Sequence, residues 1–233
     1  MANAFEGFSS ETTEILMGIR MNNTKEWYNA HKDAYIAHVR GPMLALAEAC
    51  AASLRAKDER FTPRPKVSRA LRDTRFTANK EPIKECSWFF LRNDASPGIQ
   101  HDEPTFFFEV SPDWWRMGLG YWPMKAADMA KYRAKINAAP ALAVRLVQEA
   151  CDCGFTLEDE LYKKKMHDGS QSPEAQRLLQ MKSVTFIQYG EHDAEMCSPA
   201  ILDKVSAGFS ALYPMYAFLL EASRGCSDTK TAQ

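Results

Sequence analysis

The sequence lacks the short motifs that mark several common enzyme and binding-protein classes. It contains no Gly-x-Ser-x-Gly elbow, no Gly-x-x-x-x-Gly-Lys phosphate loop, no Gly-x-Gly-x-x-Gly turn and no EF-hand loop. In the families that use them, these motifs position a nucleophile, phosphates, a dinucleotide or a calcium ion. Their absence argues against the usual hydrolase, NTPase, Rossmann and calcium-binding classes, and we expect no cofactor.

Long apolar runs are also absent. No stretch approaches the roughly 20 apolar residues that a transmembrane helix requires. Residues Met1 to Ser9 do not combine a basic segment with a following apolar run, as a secretory signal would. We therefore expect a cytoplasmic protein that does not associate with membranes.

The six cysteines are scattered without a disulfide framework. A chain of 233 residues does not need such a framework, so reduced thiols are expected. Cys151 and Cys153 resemble half of a metal site, but no second Cys/His pair stands at zinc-finger spacing. We expect no metal site.

The composition is that of an ordinary globular protein, with 45% hydrophobic and 25% charged residues. No spacer interrupts the patterned segments, so we predict a single domain over residues 1–233, with flexible ends at 1–8 and 224–233. The net charge of −1 gives no general attraction to nucleic acid, which makes a nucleic-acid partner a poor fit. The oligomeric state does not follow from the sequence.

The pattern of apolar residues predicts helices in the first quarter and in the last part of the chain, with short strands between them. The predicted strands are Lys66 to Arg72, Ser87 to Arg92, Thr105 to Val110, Trp114 to Tyr121, Thr156 to Lys163 and Val184 to Tyr189. Because strands and helices do not alternate regularly, we predict an α+β fold. It consists of a mainly antiparallel sheet of about five to six strands, packed with helices from the N- and C-terminal parts.

One predicted helix begins near Asn23 or Thr24 and carries an aromatic and histidine face. The face consists of residues at spacings of four, three and four, namely Trp27, His31, Tyr35 and His38. We expect this face to lie against the sheet. Gly41-Pro42 should end or kink the helix, because proline supplies no amide hydrogen and clashes with the preceding turn.

Positive charge is concentrated in one segment. Residues 60–84 contain eight cations and two anions, a net charge of +6 in a chain whose total is −1. The cations are Arg60, Arg64, Lys66, Arg69, Arg72, Arg75, Lys80 and Lys84. We predict that this segment runs as a strand into a loop near Asp73, because Asp-Thr starts turns through its own side chain.

Two interpretations of this arginine block, residues 69–80, remain open. In the first, its guanidinium groups hold a phosphate or carboxylate, with Asp73 orienting one of them. The predicted site residues are Arg69, Arg72, Asp73, Arg75, Asn79 and Lys80, with Trp27 and Tyr121 as possible pocket lining. In the second, Asp73 with Glu81 or Glu85 pairs with the arginines in a buried structural network. A binding module for nucleic acid or an acidic partner is a further alternative, and whether the protein is an enzyme stays open.

The block resembles the hallmark of the domain of unknown function 2461 family, whose members are conserved hypothetical proteins of about this length. The resemblance rests on Arg69-x-x-Arg72-Asp73-x-Arg75-Phe76 and extends to Asn22-Asn23, Glu26-Trp27-Tyr28, Lys32, Tyr35, Pro42 and Gly118 to Pro123. Ile83 stands where the family pattern usually has a tyrosine, so a hydroxyl there is not essential in this member. The resemblance implies no established activity.

Overall fold

The fold is an antiparallel six-stranded sheet with helices packed on it, as predicted from the sequence. A computed structural model describes residues 5–75, 77–93, 103–121, 124–158 and 160–224. The strands lie in the order β1-β2-β3-β4-β6-β5. They are β1 Lys66–Val67, β2 Ser87–Leu91, β3 Thr105–Val110, β4 Trp115–Tyr121, β5 Thr156–Leu157 and β6 Val184–Gly190.

The helices of the described residues come before, between and after these strands. They are α1 Ser10–Met21, α2 Lys25–Ala30, α3 Lys32–Tyr35, α4 Gly41–Lys57, α5 Ala126–Ala138, α6 Pro140–Asp152, α7 Pro173–Gln180 and α8 Ala200–Arg224. A π-helical turn, Ile36–Arg40, joins α3 to α4. The α+β class and the N- and C-terminal helical parts are therefore confirmed.

The central strands form because their apolar side chains alternate between two faces. In β2 the residues Ser87, Phe89 and Leu91 are buried, and the residues between them are half-buried. Phe89 pairs in register with Phe108 of β3, and their rings stack at 5.7 Å. Phe209 of α8 meets the same face, with its ring 5.1 Å from that of Phe106. This aromatic layer fixes the C-terminal helix on the sheet.

A tight turn joins β3 to β4, which are neighbours in the sheet. Ser111 donates its amide to the carbonyl of Trp114 at 2.9 Å, and its hydroxyl accepts from the amides of Asp113 and Trp114. A serine that satisfies turn amides in this way stabilises a tight connection.

The helix predicted after Thr24 is interrupted. At His31 the backbone leaves helical geometry, and the π-helical turn follows before α4 begins at Gly41. Pro42 stands in the first turn of α4, directly after the π-helical turn, and Arg40 and Gly41 keep right-handed helical backbone angles. Of the predicted face, Tyr35 is buried, whereas His31 is exposed and stacks on Trp27 at 3.9 Å. The prediction that the whole face meets the sheet was wrong for these two residues, because the Trp27 ring packs on Gly18 of α1.

Two strands are shorter than predicted. The strand expected over Lys66 to Arg72 is hydrogen-bonded as β1 for two residues, after which a single bridge joins Leu71 to Ile83. The strand expected over Thr156 to Lys163 is likewise β5 plus one bridge between Leu161 and Met181.

The chain divides into two compact units. Unit 1 comprises Met1–Ala95, Phe106–Met117 and Tyr189–Ser210, and unit 2 comprises Ser96–Thr105, Gly118–Gln188 and Ala211–Gln233. The single domain over 1–233 stays a prediction. Of the ends predicted to be flexible, residues 225–233 lie outside the described residues, and Phe5 and Phe8 are buried.

Unit 2 is built from helices that follow one another closely. Pro140 begins α6 directly after α5, and Ser172 caps α7 by accepting from the amide of Ala175. Arg133 of α5 donates to the carbonyls of Leu179 and Met181, which end α7. The half-buried Arg133 therefore fixes the end of α7 on α5 through its guanidinium hydrogen bonds.

No helix in the described part of the chain is long and apolar enough to cross a membrane.

Candidate functional site

The arginine block lies in a loop of unit 1 whose two ends run side by side. Ser68 donates its amide to the Trp88 carbonyl at 2.7 Å, Lys84 to Ala70 at 2.9 Å, and Arg72 to Pro82 at 2.8 Å. These bonds form a stem that closes the loop from 72 to 82. The stem positions Arg69 and Arg72 next to Lys84.

Asn23 fixes this stem to the N-terminal helices. Its side-chain amide donates to the Ile83 carbonyl at 3.0 Å, and its side-chain oxygen accepts from the Ile83 amide at 2.9 Å. The side chain thus replaces a missing strand partner for Ile83, whose side chain is buried. Asn23 is part of the pattern noted in the sequence, but its structural role requires a contact across 60 residues.

The tip of the loop is held by short-range bonds. The turn predicted at Asp73 is confirmed, because the Arg75 amide donates to Oδ1 of Asp73 at 3.2 Å. Asn79 makes a similar turn by accepting from the Glu81 amide at 2.8 Å. Lys80 donates from Nζ to the Thr74 carbonyl at 2.8 Å. Phe76 lies outside the described residues.

The acidic member of the block forms an ion pair in solvent. Arg75 donates to Asp73 through two nitrogens at 2.9 and 2.7 Å, and its side chain is 75% exposed. Hydrogen bonds from Arg75 lower the pKa of Asp73 to about 2, and the charge of Arg69 contributes less. The buried network that was one interpretation of the block does not form around Asp73.

The other two carboxylates considered for such a network have different partners. Glu85 accepts from Nε of Arg20 at 2.6 Å, and Arg20 also binds both oxygens of Asp113 at 3.0 and 2.7 Å. The carboxylate of Glu81 accepts from the side-chain amide of Asn79. Neither of these acidic residues therefore neutralises Arg69 or Arg72.

Three cations are left together at the base of the loop: Arg69, Arg72 and Lys84. Lys84 donates from Nζ to the Arg69 carbonyl at 2.5 Å and lies 4.7 Å from the centre of the Trp88 ring. Arg72 donates from Nε to the Glu81 carbonyl at 3.1 Å. Burial lowers the pKa of Lys84, and the charges of Arg72 and Arg69 lower it further against an opposing effect of Cys86. In the described ranges, none of these three cations forms an ion pair with a carboxylate. We call this group the cation cluster.

Glu109 and Arg116 form an ion pair on the neighbouring sheet strands β3 and β4. Glu109 of β3 is buried and pairs with Arg116 of β4, whose Nε lies 2.6 Å from Oε2 of Glu109. Burial raises the pKa of the Cys86 thiol to about 12, and the neighbouring Glu109 carboxylate adds to this. Cys86 is therefore a neutral thiol at physiological pH and not a prepared nucleophile.

The two aromatic residues predicted as pocket lining lie elsewhere. Trp27 is half-buried between Gly18 and His31, in the N-terminal helices. Tyr121 is buried at the end of β4 and belongs to unit 2. The sequence prediction missed Lys84 as a member of the cluster, because Lys84 joins it through backbone pairing with Ala70.

No group of three or more metal-ligating side chains occurs among the residues that the structure describes.

The molecule is thus an α+β protein whose sheet carries N- and C-terminal helices and whose arginine block forms a closed loop. The model of the conserved hypothetical protein family DUF2461 matches residues 11–218, so the chain belongs to this family. None of the curated proteins compared with the chain matches it.

Proposed function

We propose that the protein binds a small anionic ligand, one that carries a phosphate or carboxylate group, at the cation cluster of unit 1. The observation that carries the proposal is that Arg69, Arg72 and Lys84 lie together while the nearby carboxylates are bound to other groups. Grouped cations repel one another, and an anion between them would remove that repulsion. Binding of an anion would therefore be favoured at the cation cluster.

The arrangement of Arg72 suits an anion. Its Nε donates to the Glu81 carbonyl, and the guanidinium of this half-buried residue makes no other hydrogen bond within the described residues. The two terminal nitrogens of a guanidinium form a planar fork that matches two oxygens of phosphate or carboxylate. Arg69 is exposed and can approach the same ligand.

The remaining members of the predicted site have supporting roles in this proposal. Asp73 already holds the Arg75 fork, so Arg75 contributes long-range charge instead of direct contact. Lys80 has one acceptor, the Thr74 carbonyl, and an ammonium group can donate twice more. Asn79 shapes the tip of the loop.

The test is a thermal-shift panel of phosphorylated metabolites, nucleotides and carboxylates, followed by affinity measurements on variants. A ligand at 100 times its Kd adds about 2.7 kcal/mol of stability, which such a panel detects. Arg72→Lys keeps the charge but removes the fork, and we expect it to weaken binding at least about tenfold. Arg75→Lys, in the same loop, is the matched control and should leave the affinity nearly unchanged.

A second signal distinguishes occupancy of the cluster from binding elsewhere. A bound anion favours the charged form of Lys84, so the lowered pKa of Lys84 should rise when ligand is added, as followed by NMR of the Nζ group. Equal losses in Arg72→Lys and Arg75→Lys would contradict a specific fork. If an oligonucleotide binds and its affinity falls steeply with salt, the protein binds nucleic acid and the small-ligand proposal is wrong.

We also propose a cytoplasmic location. Its support is that the five cysteines in the described residues, Cys50, Cys86, Cys151, Cys153 and Cys197, are free thiols. Reducing compartments keep thiols in this state. Alkylation of the protein in intact cells, followed by mass spectrometry, should find these thiols unpaired.

A further inference from the structure

A second group of cations lies in unit 2, around an open cavity. None of the residues that line this cavity belongs to the arginine block. The cavity has a volume of about 730 Å³ and is lined by Asn137, Lys164, Lys165, His167, Ser170 and Gln171. Small-molecule sites in proteins commonly have volumes of about 300–1,000 Å³. The cavity is therefore large enough for a metabolite and larger than a single inorganic ion needs.

The walls of the cavity are held in place by α7. Gln180 donates from its side-chain amide to the carbonyls of Tyr162 and Lys164, and it accepts from the Met166 amide at 3.0 Å. One turn earlier, Gln176 donates to the carbonyls of Gly169 and Gln171 at 3.2 and 2.6 Å. Two glutamines on one helix thus fix both sides of the segment 162–171. A binding site needs such support, because positioned side chains lose less entropy on binding.

Two lysines of the cavity lining, Lys164 and Lys165, can bind an anion. In the part of the chain that the structure describes, Lys164 and Lys165 form no ion pair with a carboxylate. The acidic residue of the lining, Asp168, accepts from the hydroxyl and the amide of Ser170 at 2.6 and 2.9 Å, and these bonds lower its pKa. Asp168 is thus held by its own turn and not by either lysine.

His167 supplies an independent sign that a polar group is missing. Its Nδ1 atom is buried and has no hydrogen-bond partner, although the residue lines the cavity. A buried nitrogen without a partner costs about 1–3 kcal/mol, so native structures seldom leave one. Because the atom itself is covered, the imidazole has to rotate before a ligand oxygen in the cavity can reach Nδ1.

We propose that this cavity binds a small polyhydroxylated phosphate ester. Lys164, Lys165 and His167 would hold the phosphate group, and the amides of Asn137 and Gln171 would bind hydroxyl groups. Among the described residues, the lining contains no Phe, Tyr or Trp ring, and Met166 is its one apolar side chain, so the cavity favours hydroxyl groups over a nucleobase. The site is separate in sequence from the cation cluster and does not depend on the function proposed for it.

Calorimetric titration of the full chain with glucose 6-phosphate tests the proposal, with glucose and inorganic phosphate as parallel probes. We expect the ester to bind more tightly than phosphate, and glucose not to bind. The double variant Lys164→Gln/Lys165→Gln should weaken the ester at least about tenfold. Lys163→Gln removes the same charge from the same segment outside the cavity lining and should change the affinity little.

Long-range ¹H–¹⁵N spectra of the histidine rings provide the second measurement. On addition of the ester, the Nδ1 resonance of His167 should shift, whereas that of the exposed His31 should not. Arg72→Lys should leave this titration unchanged. The proposal is overturned if no probe binds at about 10 mM, if Lys163→Gln costs as much as the double variant, or if the His167 resonance stays fixed during binding.

Discussion

Arg20 and Arg72 belong to the same unit but use their guanidinium groups in opposite ways. Arg20 donates to two carboxylates, Glu85 and Asp113, and joins α1 to residues far along the chain. Arg72 donates to one backbone carbonyl and to no carboxylate in the described residues. Arg20, which is saturated by carboxylates, lies next to the block, whereas Arg69 and Arg72 within the block have no carboxylate partner in the described residues. A count of positive residues along the sequence cannot separate the two kinds.

The pair with the least exposure should be the most sensitive to disruption. Arg116→Leu removes the partner of Glu109, whose side chain is only 12% exposed, and leaves a carboxylate with little water to solvate it. We expect the free energy of unfolding, measured in urea, to fall by about 3 kcal/mol. The double variant Arg116→Leu/Glu109→Leu should recover most of that loss. If Arg116→Leu were as stable as wild type, the ion pair between Arg116 and Glu109 would not contribute to the free energy of unfolding.

Arg20 should show a smaller effect that depends on pH. At neutral pH, Arg20→Gln should lower the free energy of unfolding by about 1 kcal/mol, because its partners are partly solvated. Hydrogen bonds from Arg20 lower the pKa of Asp113 below its ordinary value of 3.8. A depressed native pKa stabilises the fold above pH 3.8, and this contribution is lost as the pH falls further.

The difference in stability between wild type and Arg20→Gln should therefore shrink below about pH 4, as measured by urea unfolding across a pH series. A difference that stayed constant down to pH 2 would contradict an electrostatic role for Arg20 and favour simple packing of its stem.

The exposed ion pair between Arg75 and Asp73 should have the smallest effect on stability. Arg75→Gln removes the hydrogen bonds that hold the pKa of Asp73 at about 2, so that pKa should rise toward the ordinary value of 3.8. Carboxyl-detected NMR during an acid titration measures the change. Because both side chains are largely solvated, we expect no measurable change in thermal stability. An unaltered Asp73 titration would mean that Arg75 does not engage it in solution.

The sequence was sufficient for the fold class because its signals are local. Consecutive aromatic residues in β2 and β3, the turn residues after Val110 and the proline at the start of α7 each specify their own element. The break at His31 was not predictable in this way. The Trp27 ring beside it packs on Gly18, a contact between two helices that no local pattern indicates.

The candidate site was only partly predictable for the same reason. The turn at Asp73 depends on its own side chain, and the sequence indicated it correctly. Which carboxylate pairs with which arginine depends on chain crossings, such as the one that places Asp113 beside Arg20. Lys84 joins the cation cluster through backbone pairing with Ala70, so counting residues along the loop does not reveal it.

The clamp between Asn23 and Ile83 has a consequence for changes in chain length. The bonds from Ser68 to Trp88, from Lys84 to Ala70 and from Arg72 to Pro82 fix the register of the stem, and Asn23 holds it from outside. Between these closure points, added residues near Ala78 would cost the entropy of a longer loop, about 0.6 kcal/mol for each doubling, and the exposed bond from Lys80 to Thr74. A single deletion within 82–84 would instead destroy the register that joins Lys84 to Ala70 and Arg72 to Pro82. Insertions are therefore tolerated at the tip of this loop and excluded from its base.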